Sequence, residues 1–191
     1  LGDPFINTAI IMEEIGKKAF PSPYFSTAVW GSLILAEGAS HTQKKALFPE
    51  IAKGKLILAL AQLEEDGGLE AEAINMQAEI SGDRFLLSGT KLFVLDANIA
   101  DKMIVVSRVP DKGITLFLVD AKTPDITCRK MPSIGMDNNC EVTFNQVSVN
   151  QSDIIGDIGK GWDILETVSQ KATVAKCAEM LGGCLASIQM T

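Results

Sequence analysis

The spacing of apolar residues changes twice along the chain. In residues 1–54, apolar side chains such as Ile11, Met12 and Ile15 recur at intervals of three and four, which is the spacing of one face of a helix. In residues 55–150, apolar and polar positions alternate, as is typical of half-buried strands. Helical spacing returns from about residue 161. The pattern therefore predicts helices, then strands, then one helix.

The first segment contains the signals of two successive helices. Asp3 followed by Pro4 predicts an N-cap with proline at the first helical position. The prolines at 21 and 23 end this helix. The next run, from about Ser26 to Ala36, is apolar almost all round, so we expect a buried helix there.

A third helix is predicted from a capping box. Ser40 and Gln43 have the S-x-x-Q spacing in which each side chain bonds the backbone N–H of the other residue. We expect this helix to run toward Phe48, and Pro49 and Gly54 to close this section of the chain. His41 is the only histidine. It lies in the first turn with no nucleophile signature nearby, so we interpret it as a surface residue rather than part of a catalytic triad.

Seven runs in the second segment have the length and alternation of strands, and turn-forming residues separate them. The predicted strands are Leu56–Ala61, Asn75–Ile80, Arg84–Ser88, Lys91–Leu95, Met103–Arg108, Ile114–Val119 and Val142–Val149. Short strands at this spacing are typical of a small antiparallel sandwich or barrel. With the helices on either side, they predict an α+β fold: an antiparallel β-barrel or sandwich domain flanked by helical segments.

Composition narrows the functions that this fold can have. The chain has 191 residues, of which 47% are hydrophobic and 21% charged, the balance of a globular protein with a substantial core. Its net charge of -7 argues against nucleic-acid binding, because no basic stripe is present to contact phosphates. No apolar run approaches the ~18 to 20 residues of a membrane span.

Three patterns in the sequence suggest a zinc, nucleotide or calcium site, but they lack the residues or the spacing that such sites require. The cysteines at 128, 140, 177 and 184 form no CxxC pair, which argues against zinc and favours reduced thiols in a cytoplasmic-type compartment. Residues 156–161 lack the Ser or Thr that follows Lys in a P-loop. Glu64, Glu65 and Asp66 are consecutive, whereas calcium loops place acids on alternate residues. We therefore predict no metal site and a solvated turn.

Four stretches of the chain carry motifs in a recognisable order. EEIGKKAFPSPYFSTAV is similar to E-x-x-G…P-x-P. ALFPEIAKGKLILALAQLEEDGG is similar to L-P-x-I-A-x-G followed by a strand and a T-E-P-x-x-G-S-D turn. SGDRFLLSGTKLFVLDANIADKMIVVSRV and EVTFNQVSVNQSDIIGDIGKGW contain G-x-K-x-[WF] and G-x-x-G-x-G-W. With these four motifs in this order, the chain resembles the acyl-CoA dehydrogenase family over essentially its whole length.

The resemblance implies a domain organisation. Residues 1–54 would end an N-terminal helical domain, residues 55–157 would form the middle β domain, and residues 158–191 would begin a C-terminal helical domain. Chains of the family are considerably longer and form tetramers. We therefore expect a fragment with an exposed apolar face on its final helix, and a homo- or heterotetramer for the full-length protein.

The resemblance also implies an activity. Such enzymes oxidise an acyl-CoA thioester to 2-enoyl-CoA, with a glutamate taking the α-proton as the β-hydride passes to FAD. A partner such as an electron-transfer flavoprotein then accepts the electrons, in the cytoplasm or, in a eukaryote, the mitochondrial matrix. The catalytic base is expected beyond Thr191. No catalytic residue is therefore assigned here, and the 191-residue chain alone is predicted to be inactive.

The resemblance implies that the first two of the four stretches form the flavin wall. The turn at 60–69 would run past the flavin ring toward the thioester, and the strand at 93–95 would lie at another edge of the ring. Leu69 is predicted to contact the CoA arm. Glu64 matches a glutamate that is structural in the family motif. The predicted cofactor-binding residues are Leu60, Gln62, Leu63, Glu64, Phe93, Val94 and Leu95.

Four positions depart from the family pattern, and one of them is Leu69, which occupies the place of the serine that touches the CoA arm. Threonine hydroxyls are expected at Leu63 and Leu95, and losing a donor at a buried flavin edge costs about 1–3 kcal/mol. Thr173 stands where an arginine often helps to hold the substrate. Two other interpretations therefore stay open: a diverged non-catalytic subunit of an acyl-CoA dehydrogenase-like oligomer with weak or no FAD binding, and an unrelated β-barrel binding module.

Overall fold

The computed structural model describes residues 4–135 and 137–190. The helices are α1 (Pro4–Lys18), a π-helix (Phe25–Gly31), α2 (Ser32–Gly38), α3 (His41–Ala52) and α4 (Gly161–Gln189). These helices occupy the two ends of the chain and the strands its middle, where short 3₁₀ helices also lie at Ala71–Ala73 and Gln151–Asp153. The predicted order is confirmed. The predicted N-cap residue Asp3 lies outside the described residues.

The predicted second helix differs most from the structure. The expected continuous helix at 26–36 consists of the π-helix, which passes directly into α2. The wider π turn brings Ser26 and Thr27 into buried positions beside the sheet. Apolar periodicity cannot distinguish a π turn from an α turn over so few residues, so the sequence predicted only the burial.

Helix α3 begins after its predicted N-cap, Ser40, and ends at Ala52. The Gln43 N–H donates to Ser40 Oγ at 3.2 Å, and the Ser40 N–H donates to Gln43 Oε1 at 2.8 Å, which completes the capping box. Of the two residues predicted to close this section, Pro49 lies inside the helix and Gly54 follows its end. A proline removes one backbone donor, but its carbonyl still accepts, here from the Lys53 N–H at 3.2 Å.

In the described part of the chain, eight strands form one mixed sheet. They are β1 (Leu58–Ala61), β2 (Gln77–Ser81), β3 (Arg84–Leu95), β4 (Lys102–Val109), β5 (Gly113–Asp120), β6 (Ile126–Lys130), β7 (Asn139–Asn150) and β8 (Ile154–Ile155). Their order is β6-β7-β3-β2-β4-β5-β8, with β1 beside β4. The predicted α+β class is confirmed.

Most neighbouring strands are antiparallel, as predicted, but two pairs are parallel. β1 runs parallel to β4 with Leu58 opposite Lys102, and one parallel pair, Gln77 with Arg108, joins β2 to β4. The sheet is therefore mixed rather than wholly antiparallel. β1 follows a helix rather than a tight turn from another strand, so its connection does not impose an antiparallel direction.

Strand β3 replaces two predicted strands, Arg84–Ser88 and Lys91–Leu95. Its register with β7 shifts at Gly89 and again between Lys91 and Val94, and these irregularities interrupt the alternation of side chains along one strand. Strands β6 and β8 were not predicted. β6 is almost wholly exposed and β8 has only two residues, so neither shows apolar alternation.

Apolar side chains fill both faces of the sheet. In one cluster Phe85 and Phe117 pack with ring centroids 5.2 Å apart. A second cluster lies between the sheet and helices α2, α3 and α4. Helices α1 and α4 pack so closely that a Cβ added at Gly182 would collide with the carbonyl oxygen of Glu13. The two ends of the chain therefore meet backbone to backbone, beside the sheet.

Candidate functional site

An apolar cleft opens where the π-helix meets β1 and β3. Its volume is 210 Å³. Three aromatic residues and five leucines dominate its lining, which favours a flat and largely apolar ligand. The lining residues are Phe25, Ser26, Trp30, Leu60, Gln62, Leu63, Leu69, Leu92, Phe93 and Leu95.

Buried hydrogen bonds hold the π-helix against the sheet. Ser26 Oγ donates to Asp96 Oδ2 at 2.6 Å, directly after β3. Thr27 Oγ1 donates to the Leu58 carbonyl at 3.3 Å and accepts from the Leu58 N–H at 3.0 Å. Ser26, Thr27 and Asp96 are buried, so water competes little with these bonds. The aromatic residues of the π-helix are thereby fixed on one wall of the cleft.

A β-bulge shapes the opposite wall. Phe93 has a φ of +53°, in the left-handed region that bulky residues rarely adopt. Its side chain is 55% exposed and lines the cleft together with that of its neighbour Leu92. In a regular strand these neighbours would face opposite sides of the sheet, so the bulge places both in the cleft. Val94 lies in the sheet core and is 1% exposed.

A buried ion pair lies directly behind the cleft. The side chain of Lys91 is fully buried, and its Nζ donates to Glu64 Oε1 at 2.6 Å and to the Gln62 carbonyl at 3.0 Å. Glu64 also accepts from the N–H of Asn75 at 2.9 Å and of Met76 at 3.1 Å. Burial lowers the pKa of Lys91, and its hydrogen bond to Glu64 opposes that shift. The Glu64 carboxylate is therefore fully bonded within the protein.

Two polar groups at the cleft remain available to a ligand. The Leu63 carbonyl accepts from the Leu92 N–H at 2.9 Å. Within residues 4–135 and 137–190, the Leu63 N–H and the Gln62 side-chain amide make no hydrogen bond. An amide N–H donates, and a glutamine amide both donates and accepts, so these groups can bond the polar edge of a flat ligand.

A second cavity, of 650 Å³, adjoins the cleft. Phe25 and Leu95 line both cavities and form the wall between them. Lys176 Nζ lies 3.9 Å from the centroid of the Phe25 ring and pairs with Glu179. A ligand that extends from the cleft would enter this cavity past Phe25 and Leu95. Apolar residues on its other sides include Met12, Ile15, Phe20 and Ile99.

The fold occurs in a solved enzyme that acts on acyl-CoA. Butyryl-CoA dehydrogenase from Megasphaera elsdenii superposes with a TM-score of 0.90 at 22% sequence identity. The match covers 98% of this chain and 52% of that one. At this identity, the likeness shows the fold.

Sequence comparison shows the family. The chain is 31% identical to 3-(aryl)acrylate reductase of Clostridium sporogenes over 183 residues, 90% of this chain and 48% of the relative. It is 29% identical to the mitochondrial isovaleryl-CoA dehydrogenase of Pongo abelii over 173 residues, 84% of this chain and 41% of the relative. The sequence model described as acyl-CoA dehydrogenase, middle domain, matches residues 59–147. The chain belongs to the acyl-CoA dehydrogenase family. It spans about half the length of these relatives.

Six of the eight residues that the acyl-CoA dehydrogenase motifs predicted for the site line the cleft. The Glu64 side chain does not, because Lys91 and two backbone N–H groups bind it behind the cleft. The Val94 side chain packs into the sheet core. The six that the structure brings together are Leu60, Gln62, Leu63, Leu69, Phe93 and Leu95.

Four lining residues were not predicted individually. Phe25, Ser26 and Trp30 belong to the π-helix, whose apolar run predicted burial, and the resemblance placed the stretch that contains Phe25 and Ser26 in the flavin wall. Leu92 faces the cleft only because of the bulge. Regular alternation of side chains along β3 would place Leu92 on the opposite face of the sheet from Phe93.

Other candidate chemistry does not assemble in the described part of this acyl-CoA dehydrogenase chain. No group of three or more His, Cys, Asp or Glu side chains in that part is placed to hold a metal ion. None of its helices is long and apolar enough to cross a membrane. Thr173, at the position of the family arginine, is exposed on α4 and lines neither cavity. Its hydroxyl donates to the Ser169 carbonyl at 2.8 Å.

Proposed function

We propose that this chain forms the flavin-facing wall, and part of the acyl cavity, of an FAD-dependent acyl-CoA dehydrogenase. The apolar cleft between the π-helix, the 60–69 turn and the end of β3 carries the proposal. The family is FAD-dependent in general. In the whole protein, the reaction would convert an acyl-CoA thioester to 2-enoyl-CoA.

The cleft residues suit an isoalloxazine ring. Phe25, Trp30 and Phe93 offer flat apolar surfaces, and the Leu63 N–H and the Gln62 amide offer partners for a polar edge. FAD would supply the hydride acceptor of the reaction. Because Leu63 and Leu95 carry no hydroxyl, the chain would depend on backbone and amide groups to hold that edge.

The adjoining cavity suits the acyl group. Its lining combines apolar side chains with charged ones, and it shares Phe25 and Leu95 with the cleft. A thioester that passes these two residues would place its acyl chain beside the ring. Leu69 lines the cleft at the side proposed for the CoA arm.

None of the ten cleft-lining side chains is ionisable. Of the carboxylates that line the adjoining cavity, Asp96 is bonded to Ser26, Glu179 is paired with Lys176, and Asp137 is exposed. The group that removes the α-proton would therefore come from another part of the protein.

The proposal extends to partners and location. The whole protein would pass electrons to a partner such as an electron-transfer flavoprotein and assemble as a homo- or heterotetramer. It would act in the cytoplasm, or in the mitochondrial matrix of a eukaryote. Family membership supports these assignments, and the relative from Pongo abelii is a mitochondrial enzyme.

One observation favours a second function. Leucines at 63 and 95 remove both expected hydroxyls from a cleft that is otherwise intact. A diverged, non-catalytic subunit that keeps the fold and binds flavin weakly or not at all would have this arrangement. Flavin binding separates the two functions.

Trp30 reports directly on the cleft. The chain has two tryptophans, and Trp162 packs against the cluster between the sheet and the helices without lining the cleft. In a Trp162→Phe variant, riboflavin and FAD should quench Trp30 fluorescence saturably, after correction for flavin absorbance. The matched Trp30→Phe variant, which keeps Trp162, should show no saturable quenching. Absence of saturable quenching with both flavins would contradict the flavin proposal and favour the non-catalytic subunit.

A further inference from the structure

We propose that Lys91 is the positioning residue of the cleft: its buried ammonium fixes the 62–64 segment so that the Leu63 N–H is presented to the ligand. The identity of that ligand as a flavin rests on the proposed function. The positioning of the segment rests on contacts within the chain alone.

The contacts of Lys91 fall on both sides of Leu63. Lys91 Nζ donates to the carbonyl of Gln62 at 3.0 Å and to the carboxylate of Glu64 at 2.6 Å. The next residue in β3, Leu92, donates its N–H to the Leu63 carbonyl at 2.9 Å. Three consecutive residues of the turn are therefore bonded to two consecutive residues of β3. With its carbonyl engaged, Leu63 has its N–H left for a ligand.

Burial makes this arrangement rigid. The Lys91 side chain is 0% exposed and the Glu64 side chain 11% exposed. An ammonium so placed cannot swing into water, and breaking one member of a buried pair leaves an uncompensated charge. Apolar residues of similar volume often stabilise a protein as well as a buried ion pair does. What an apolar residue at position 91 cannot supply is the bond to the Gln62 carbonyl, which sets the course of the turn.

The same residue begins the bulge. The register of β3 with β7 shifts between Lys91 and Val94, which places the side chains of Leu92 and Phe93 in the cleft. Lys91 points to the interior and is bonded there, so it anchors the strand at the start of this shift. One buried side chain thus fixes the turn on one side of the cleft and the strand on the other.

Hydrogen exchange tests the positioning without a ligand. In the unaltered chain, the Leu92 N–H should exchange slowly because the Leu63 carbonyl accepts it. In Lys91→Met, which keeps the volume but removes the donor, Leu92 exchange should be at least about tenfold faster, the effect of losing roughly one hydrogen bond. The amide of Val147, in the same core but outside the cleft, should be unchanged. An unchanged Leu92 rate in the folded variant would overturn the proposal.

A double variant separates positioning from stability. Lys91→Met with Glu64→Gln removes both charges, so no buried ion is left unpaired, yet the Gln62 carbonyl still lacks its donor. If the Lys91→Met variant does not fold, the exchange rate of the Leu92 N–H is measured in the double variant instead. Its riboflavin affinity, measured through Trp30, should be about tenfold lower than that of the unaltered chain.

The control is Val147→Ala, a cavity variant of the same core. It should lower the melting temperature and leave riboflavin affinity unchanged. If it weakens riboflavin binding as much as the double variant does, Lys91 contributes stability only and the proposal is wrong. If the unaltered chain binds no riboflavin, the proposed function fails, and the exchange rate of Leu92 still decides the role of Lys91.

Discussion

At the residue scale, the leucines at 63 and 95 set how strongly the chain would hold a flavin. Leu63 leaves its N–H available but contributes only methyl groups to the cleft, and Leu95 lies in the wall shared with the second cavity. A polar edge buried against methyl groups loses its bonds to water without replacement. Restoring one hydroxyl should therefore strengthen binding.

Leu63→Thr is expected to raise riboflavin affinity about five- to tenfold, since a net hydrogen bond contributes about 1 kcal/mol. Trp30 quenching in the Trp162→Phe background measures the change. Leu63→Val is the matched control, because valine has the shape of threonine without its hydroxyl. Equal gains in both variants would show that side-chain size, rather than hydrogen bonding, limits affinity.

At the scale of elements, the sequence predicted what local chemistry determines. The capping box at Ser40 and the apolar runs of β4 and β5 depend on near neighbours, and all are present, although the two strands are buried at nearly every position rather than at alternate ones. The π-helix, the bulge at Phe93 and the parallel pairing of β1 depend on contacts with distant parts of the chain, such as Ser26 with Asp96. The cleft is built mainly from elements of this second kind. Family motifs therefore identified much of its lining, whereas periodicity identified none of it as a site.

The contact of α1 with α4 gives a test at this scale. Gly182→Ala should lower the free energy of unfolding by about 1–3 kcal/mol, because its methyl group would overlap the Glu13 carbonyl and force the helices apart. Urea denaturation measures the loss. Gly183→Ala is the control, since its Cβ would lie 3.8 Å from the Gly16 carbonyl and helix propensity favours alanine. A similar loss in both variants would contradict the proposed overlap.

At the scale of the whole molecule, the chain has an apolar cleft and exposed apolar side chains on its final helix. The apolar face expected on the final helix is present: Val174, Met180 and Leu181 of α4 are each more than half exposed. Patches of this kind mark surfaces that other protein covers. The chain spans about half the length of its relatives. Residues of the site that lie in the other half of those relatives are inferred from the resemblance and not from the structure.

Activity gives the test at this scale. Reconstituted with FAD, the 191-residue chain should not reduce an electron acceptor when butyryl-CoA or isovaleryl-CoA is added. No ionisable side chain lines the cleft to take the α-proton, and the carboxylates of the adjoining cavity are bonded to Ser26 or Lys176 or are exposed. The measurement is acceptor bleaching above a control with FAD alone. Dithionite should still reduce the bound flavin, which shows that the cofactor is competent. Acceptor reduction that depends on acyl-CoA would contradict the prediction.

The pairing of β3 with β7 has a consequence for how the chain acquires its structure. Strand β3 pairs with β2, which precedes it directly, and with β7, where Arg84 lies opposite Asn150. During synthesis, β3 therefore emerges well before β7 and is paired on one side only. Contacts so distant in sequence form slowly, since the intervening loop must close before they contribute. Until then one edge of β3 is open, and open edges pair with other chains. We therefore expect completion of β7 to be the slow event of folding and the period before it to be the one in which the nascent protein most needs protection from aggregation.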